Sequence, residues 1–391
     1  MKFRYLDGLR GLAALVVVLD HFAISFFQRS TDASIQVHHT WLEEIVLQTP
    51  LHLLVSGNFS VAIFFVISGF VLGIKFFGTG QRHVVVSSAW RRYARLELPV
   101  LASVLLSYLA ISSGILHNQT AAAITGSSWL HDLWNVTPTF LGALYHATIG
   151  VFVDAKSQYN TVLWTMQTEL VGSFLAFALM VSVGKWRYRW AVYGLLTVAL
   201  INSYLICFVI GLALCDWYVA YGKGFSLKKR WWIPLLAVSL LLGSIPVGTL
   251  VGTAYAGLPE WLGAGMAIPH RLHIFGAIGL LFVLLGTPAL QKIVSQSKLL
   301  YIGRVSFGLY LTHLLVLGIF SCWAFILLEP VVGYMTGFAI VFAASAFVMW
   351  AVAHAFTRWI DEPAMRFASL LYQRHFPKRW KPSIEPVSTV P

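Results

Sequence analysis

Charge is scarce in this sequence. Asp, Glu, Lys and Arg make up 11% of its 391 residues, where a soluble globular domain carries roughly 25%. That deficit excludes a soluble enzyme of this size. A hydrophobic content of 58% and a mean hydropathy of +0.75 exclude a disordered chain. Cysteine is nearly missing too. Cys207, Cys215 and Cys322 all lie in apolar runs, which excludes a disulfide scaffold and a Cys-rich zinc site. The chain has no H-E-x-x-H, no P-loop and no G-x-S-x-G, so metalloprotease, nucleotide-hydrolase and serine-esterase chemistry have no motif behind them. His38-His39 lacks further spaced ligands, and no metal site is expected. No internal repeat, low-complexity tract or cleavable signal peptide stands out.

What is present fits a membrane. Aromatic residues reach 15%, with 15 Trp, as suits a protein anchored at two membrane–water interfaces. A spanning helix needs ~20 mostly apolar residues. Ten segments qualify as candidates: 8–28, 51–75, 96–116, 160–183, 190–202, 203–221, 231–250, 270–290, 300–328 and 333–358. With the N-terminus placed in the cytoplasm, 21 of the 27 Lys and Arg fall on the inner side. Arg29, Lys156 and Arg271 fall outside, and Arg10, Arg304 and Arg358 within spans. This asymmetry is what the positive-inside rule requires. It also accounts for the net charge of +12 and pI near 9.7 without a nucleic-acid partner. The expectation is an all-α, polytopic transmembrane bundle of about ten spans with both termini cytoplasmic. Residues 1–366 form the membrane domain, 117–159 a cap on the outer face, and 367–391 a basic, Pro-containing flexible tail.

Burying a charge at the bilayer centre costs on the order of 2.5–3.5 kcal/mol, so ionisable residues inside spans are functional candidates. Here they are Arg10, Asp20, His21, Glu169, Asp216, Arg304 and His313. Arg10 and His21 share one face of the first helix, ~16 Å apart along its axis. Counting residues from the span edges puts His21 and His313 each ~20 Å from the inner edge and Glu169 ~17 Å from it. Two imidazoles and a carboxylate from three helices are thus expected in one plane. A carboxylate that holds one imidazole nitrogen protonated leaves the other basic, which is a general-base arrangement. Asp20 is expected to bond a neighbouring helix, and Asp216 to pair with Arg304 near the inner edge. Arg91, Arg92 and Arg95 sit where the third span enters the membrane, at the depth of Arg10. Guanidinium forks in that number suit a phosphate or pyrophosphate. The same intramembrane Arg, His and Glu set also serves a proton-coupled transporter, which is the alternative from another class.

Six motifs, in order, carry a resemblance. They are Leu6–Phe22 (LDGLRGLAALVVVLDHF), Phe64–Phe70 (FFVISGF), Arg92-Tyr-Ala-Arg95, Leu163–Glu169 (LWTMQTE), Ser306–His313 (SFGLYLTH) and Asp361-Glu-Pro363. Together they resemble the acyltransferase-3 family, whose hallmark is an arginine, ten residues and a histidine. The resemblance covers about residues 4–366. It implies a membrane O-acyltransferase that moves an acyl group, usually acetyl, from cytoplasmic acyl-CoA to a hydroxyl of a glycan, lipid or small metabolite. His21 would be the catalytic base, with Glu169 and His313 as further site residues. Arg10, Arg92 and Arg95 would hold the donor, and Ser68 and Gly69 would line the passage. Acyl-CoA would be a co-substrate, with no resident cofactor. The partners would be the bilayer, the donor and a hydroxyl-bearing acceptor. The location would be the plasma membrane or an endomembrane.

Overall fold

In lipid a backbone must satisfy its own polar groups, and a helix does so within one segment. Accordingly, every regular element among the described residues is helical. The computed structural model describes residues 3–222, 224–247, 250, 253–257 and 267–376. The main elements are α1 (Arg4–Phe26), α2 (Gly57–Thr79), α3 (Arg82–Ser112), α4 (Thr161–Ser182), α5 (Arg189–Ala199), α6 (Leu205–Tyr221), α7 (Lys229–Gly243), α8 (Ala267–Leu285), α9 (Ser297–Val332) and α10 (Tyr334–His375).

Each of the ten expected segments is occupied by a helix. By length and composition, however, six helices among the described residues are long and apolar enough to cross a membrane: α1, α2, α3, α4, α9 and α10. The number rises to seven if α8 and the helix after it, Pro288–Val294, form one span bent by 104°. α5, α6 and α7 have 11, 17 and 15 residues, short of the ~20 a span needs. The hydropathy windows ran on through the loops that end these helices. The 367–391 tail begins as helix, since α10 runs to His375; residues beyond 376 lie outside the described residues.

Two close helix contacts set the site, and both need glycine. α1 lies against α9 with Gly11 on Gly303: a Cβ on Gly11 would stand 2.7 Å from the Gly303 nitrogen. Ten residues further along each helix come His21 and His313. α2 lies against α6 through Gly69 and Gly211, where added Cβ atoms would meet Phe208 O at 2.6 Å and Val66 O at 2.3 Å. Small residues at such crossings let backbones approach, which is how helices associate in lipid. α2 runs antiparallel to α1. Its first residue, Gly57, packs against the Asp20 carboxylate, so Asp20 faces a neighbouring helix as expected.

The 117–159 segment folds into short helices, Asn118–Thr125, Ser128–Asp132 and Phe140–Tyr145 among them. It returns over the end of α1 and α9. Asn118 is buried, and its amide donates to the Leu130 and Leu133 carbonyls at 3.0 and 3.1 Å. It fastens this cap.

Candidate active site

α3 begins at Arg82, well before the span expected at 96. Arg92 is therefore carried into the bundle, with a side chain 10% exposed. There it forms an ion pair with Glu169 of α4 and donates to Ser173 Oγ at 2.8 Å. Ser68 Oγ of α2 donates to the same Glu169 oxygen at 2.9 Å. The expected carboxylate–imidazole pair is thus not formed. A buried carboxylate takes the cation within reach, and the earlier start of α3 supplies one.

This ion pair lies in the wall of a cavity of about 150 Å³. Arg10, Arg92, Arg95, Glu169 and Asp361 supply its charged lining, and Ser68, Thr165, Ser306 and Tyr310 its hydroxyls, with Phe64, Phe65, Leu96, Met166 and Phe307 between them. Among the described residues, neither Arg10 nor Arg95 makes a hydrogen bond or ion pair, so two guanidiniums remain available to an anion. Arg91 lies elsewhere: it bonds the Ser87 carbonyl at 3.0 Å and sits 6.0 Å from the Tyr372 ring. Gly69 is not part of the lining, because its face is taken up by the Phe208 backbone of α6. Asp216 pairs with Arg189, and Arg304 with Glu362 at 2.5 Å, so these two do not pair with each other.

The histidines do meet. His313, fully buried, has Nε2 3.0 Å from Nδ1 of His21 and Nδ1 2.9 Å from the Leu309 carbonyl. The hydrogen-bond network assigns the protons. A carbonyl only accepts, so Nδ1 of neutral His313 carries the hydrogen and its Nε2 holds the lone pair. His21 must then donate from Nδ1, which leaves its own Nε2 basic. The hydrogen bond expected with a carboxylate is made instead with a second imidazole.

His21 faces a second chamber, of about 190 Å³, lined also by Asp20, Asn58, Trp129, Thr161 and Trp164. Trp129 stacks on His21 with ring centroids 5.3 Å apart and planes at 26°. A third chamber of about 190 Å³ shares Asp20, Ile24, Gly57 and Asn58 with the second and continues to Gln28, Thr31 and Asp32. Tyr310 and Val61 line both the arginine cavity and the histidine chamber. The Tyr310 hydroxyl donates to the Val162 carbonyl at 2.8 Å and lies 2.8 Å from Thr165 Oγ1.

Tyr310, Trp129 and Asp361 were not singled out from sequence as site residues. Tyr310 had a signal, since it precedes His313 by three residues on one helix and so shares its face. Asp361 reaches the cavity from a π-helical turn, Thr357–Asp361, a distortion often found at functional sites.

Comparison with known proteins decides the family. A family model described as an acyltransferase domain, acyltransferase-3, matches residues 3–354. The chain belongs to the acyltransferase-3 family. Among curated relatives of this acyltransferase, O-acetyltransferase PaAT-1 of Phomopsis amygdali is 27% identical over 79% of this chain and 71% of its own length. Acyltransferase R4 of a Phoma species is 23% identical over 94% of this chain and 95% of its own. Acyltransferase clz18 of Cochliobolus lunatus is similar to the same degree over the same shares. No solved structure gives a significant match. This acyltransferase is a membrane protein by family and by its apolar helices, and the enzyme reading prevails over the carrier.

Proposed function

We propose that this acyltransferase moves an acetyl group from the thioester of acetyl-CoA to a hydroxyl of a small metabolite, lipid or glycan. The observation that carries the reading is the His21–His313 relay, which leaves one imidazole lone pair free in a chamber that shares a wall with a cationic cavity. Coenzyme A carries several phosphate charges, and Arg10, Arg95 and the partly engaged Arg92 are suited to them. The arginine end then faces the cytoplasm, in a multi-pass arrangement of the plasma membrane or an endomembrane. One relative is named as an O-acetyltransferase, which favours acetyl as the group and oxygen as the acceptor atom.

The step balances without a cofactor. Nε2 of His21 takes the acceptor's hydroxyl proton as the oxygen attacks the thioester carbon. His313 keeps the His21 ring oriented through its hydrogen bond, and the positive charge on His21 is transient. The C–S bond then breaks, and the departing thiolate takes the proton from His21. General-base catalysis of this kind contributes typically about 10²–10⁴-fold.

Purified protein incubated with radiolabelled acetyl-CoA and an extract of hydroxylated small molecules tests the reading. Release of free coenzyme A, matched by label in a product found by mass spectrometry, is the expected result. Intact acetyl-CoA under every acceptor condition, with gradient-driven solute uptake in vesicles, would sink it.

A further inference from the structure

The arginine cavity and the histidine chamber are two spaces with one common wall. His21 lines the second and not the first, while Arg10, Arg92 and Arg95 line the first and not the second. Val61 of α2 and Tyr310 of α9 line both. A thioester held by its phosphates at the arginines must bring its carbonyl carbon to that wall before His21 can serve it. We propose that Val61 and Tyr310 select the acyl group by length, admitting acetyl and rejecting longer chains. The proposal rests on the acyl-CoA reading above and adds to it a reason for a short acyl group.

Both wall residues are stiff. The Tyr310 hydroxyl is tied to α4 through the Val162 carbonyl and Thr165, and the residue is 8% exposed. Its ring also meets Phe64, with centroids 6.4 Å apart. Val61 is 7% exposed, and a β-branched side chain in a helix keeps one strongly preferred rotamer. Widening the passage therefore means breaking a hydrogen bond or forcing a rotamer. The space beyond, of about 190 Å³ and flanked by Trp129 and Trp164, opens onward past Asp20, Ile24, Gly57 and Asn58 to the third chamber, so chain length is read at the wall of Val61 and Tyr310. In a fitted apolar site one methylene is worth about 10–200-fold in discrimination.

The test reads binding, so it needs no acceptor. Detergent-purified protein is titrated with coenzyme A, acetyl-CoA, butyryl-CoA and hexanoyl-CoA. In the natural sequence hexanoyl-CoA is expected to bind about tenfold or more weakly than acetyl-CoA. Val61→Ala should bring the two to within about threefold, and Val61→Ile should widen the gap. Leu195→Ala, at an exposed residue that lines neither space, should leave the ratio as it is. Normal coenzyme A binding with an unchanged chain-length ratio in both Val61 variants would overturn the selector. If neither coenzyme A nor any thioester binds the natural sequence, the acyl-CoA reading fails instead, so the two failures are distinct. Should Val61→Ala fail to fold, Val61→Ile tests the same ratio in the opposite direction.

Discussion

The arginine cavity and the histidine chamber divide the work by charge. The first carries three guanidiniums against two carboxylates, Glu169 and Asp361, set among phenylalanines and Met166. Among the described residues the second has no Lys or Arg in its lining; it has two indoles, a carboxylate and an imidazole. Fixed cations suit a phosphate-bearing donor that must be held. They would be harmful next to His21, because a neighbouring positive charge penalises the imidazolium that forms when it takes a proton. Two rooms with a shared wall suit the proposed division between an anionic donor and an imidazole base. Glu169 belongs with the first room. It is the counter-charge that allows Arg92 to be buried.

Substitutions at four positions test this division. The largest effect is expected from His21→Ala, which removes the base: acyl transfer should fall by about 10²–10⁴-fold, while coenzyme A affinity stays within about threefold because no arginine contact is lost. His313→Ala should come next. It frees the His21 ring and its tautomer without removing the base, so turnover is expected to fall about 10²-fold. His313→Gln, whose side-chain carbonyl can accept from His21 Nδ1, should recover part of that loss. Equal losses in the two variants would argue for packing alone.

Glu169→Gln is predicted to act on stability before chemistry. Breaking a buried ion pair from one side costs about 3–5 kcal/mol, read as a lower midpoint in thermal unfolding. A normal midpoint with abolished turnover would move Glu169 into the histidine room. Arg95→Ala should do least. It loses one charge-assisted contact worth about 1.5–3 kcal/mol, seen as about a tenfold or greater rise in KM for the donor at unchanged kcat. A fall in kcat alone would show that the arginine room takes part in the chemical step.

Much of this plan was legible from residue spacing. Counting depth along spans of opposite direction put His21 and His313 in one plane, and they meet at 3.0 Å. Depth counting succeeds there because α1 and α9 run side by side from starts that the hydropathy places well. It misled for Glu169 because α3 extends into a charged stretch that hydropathy treats as loop. Arg91, Arg92 and Arg95 are polar enough to end a hydrophobic window, yet the helix continues through them and turns Arg92 inward. The short helices α5, α6 and α7 escaped for the opposite reason, since apolar loop residues extended their windows. The resemblance implied that Gly69 lines the passage together with Ser68. Adjacent residues on a helix point ~100° apart, and one faces the cavity while the other faces α6. Trp129 left no trace, because its contact with His21 depends on how a loop of some 40 residues folds back.

The glycine contact between α1 and α9 has a consequence for the spacing of the hallmark motif. Gly11 is pinned to Gly303, and the imidazoles stand ten residues onward on each strut. One alanine inserted anywhere between Gly11 and His21 would advance the imidazole by ~1.5 Å and swing it by ~100°, leaving the crossing intact and the relay severed. The interval from arginine to histidine therefore works as a mechanical gauge, and this stretch should tolerate changes of side chain far better than changes of length.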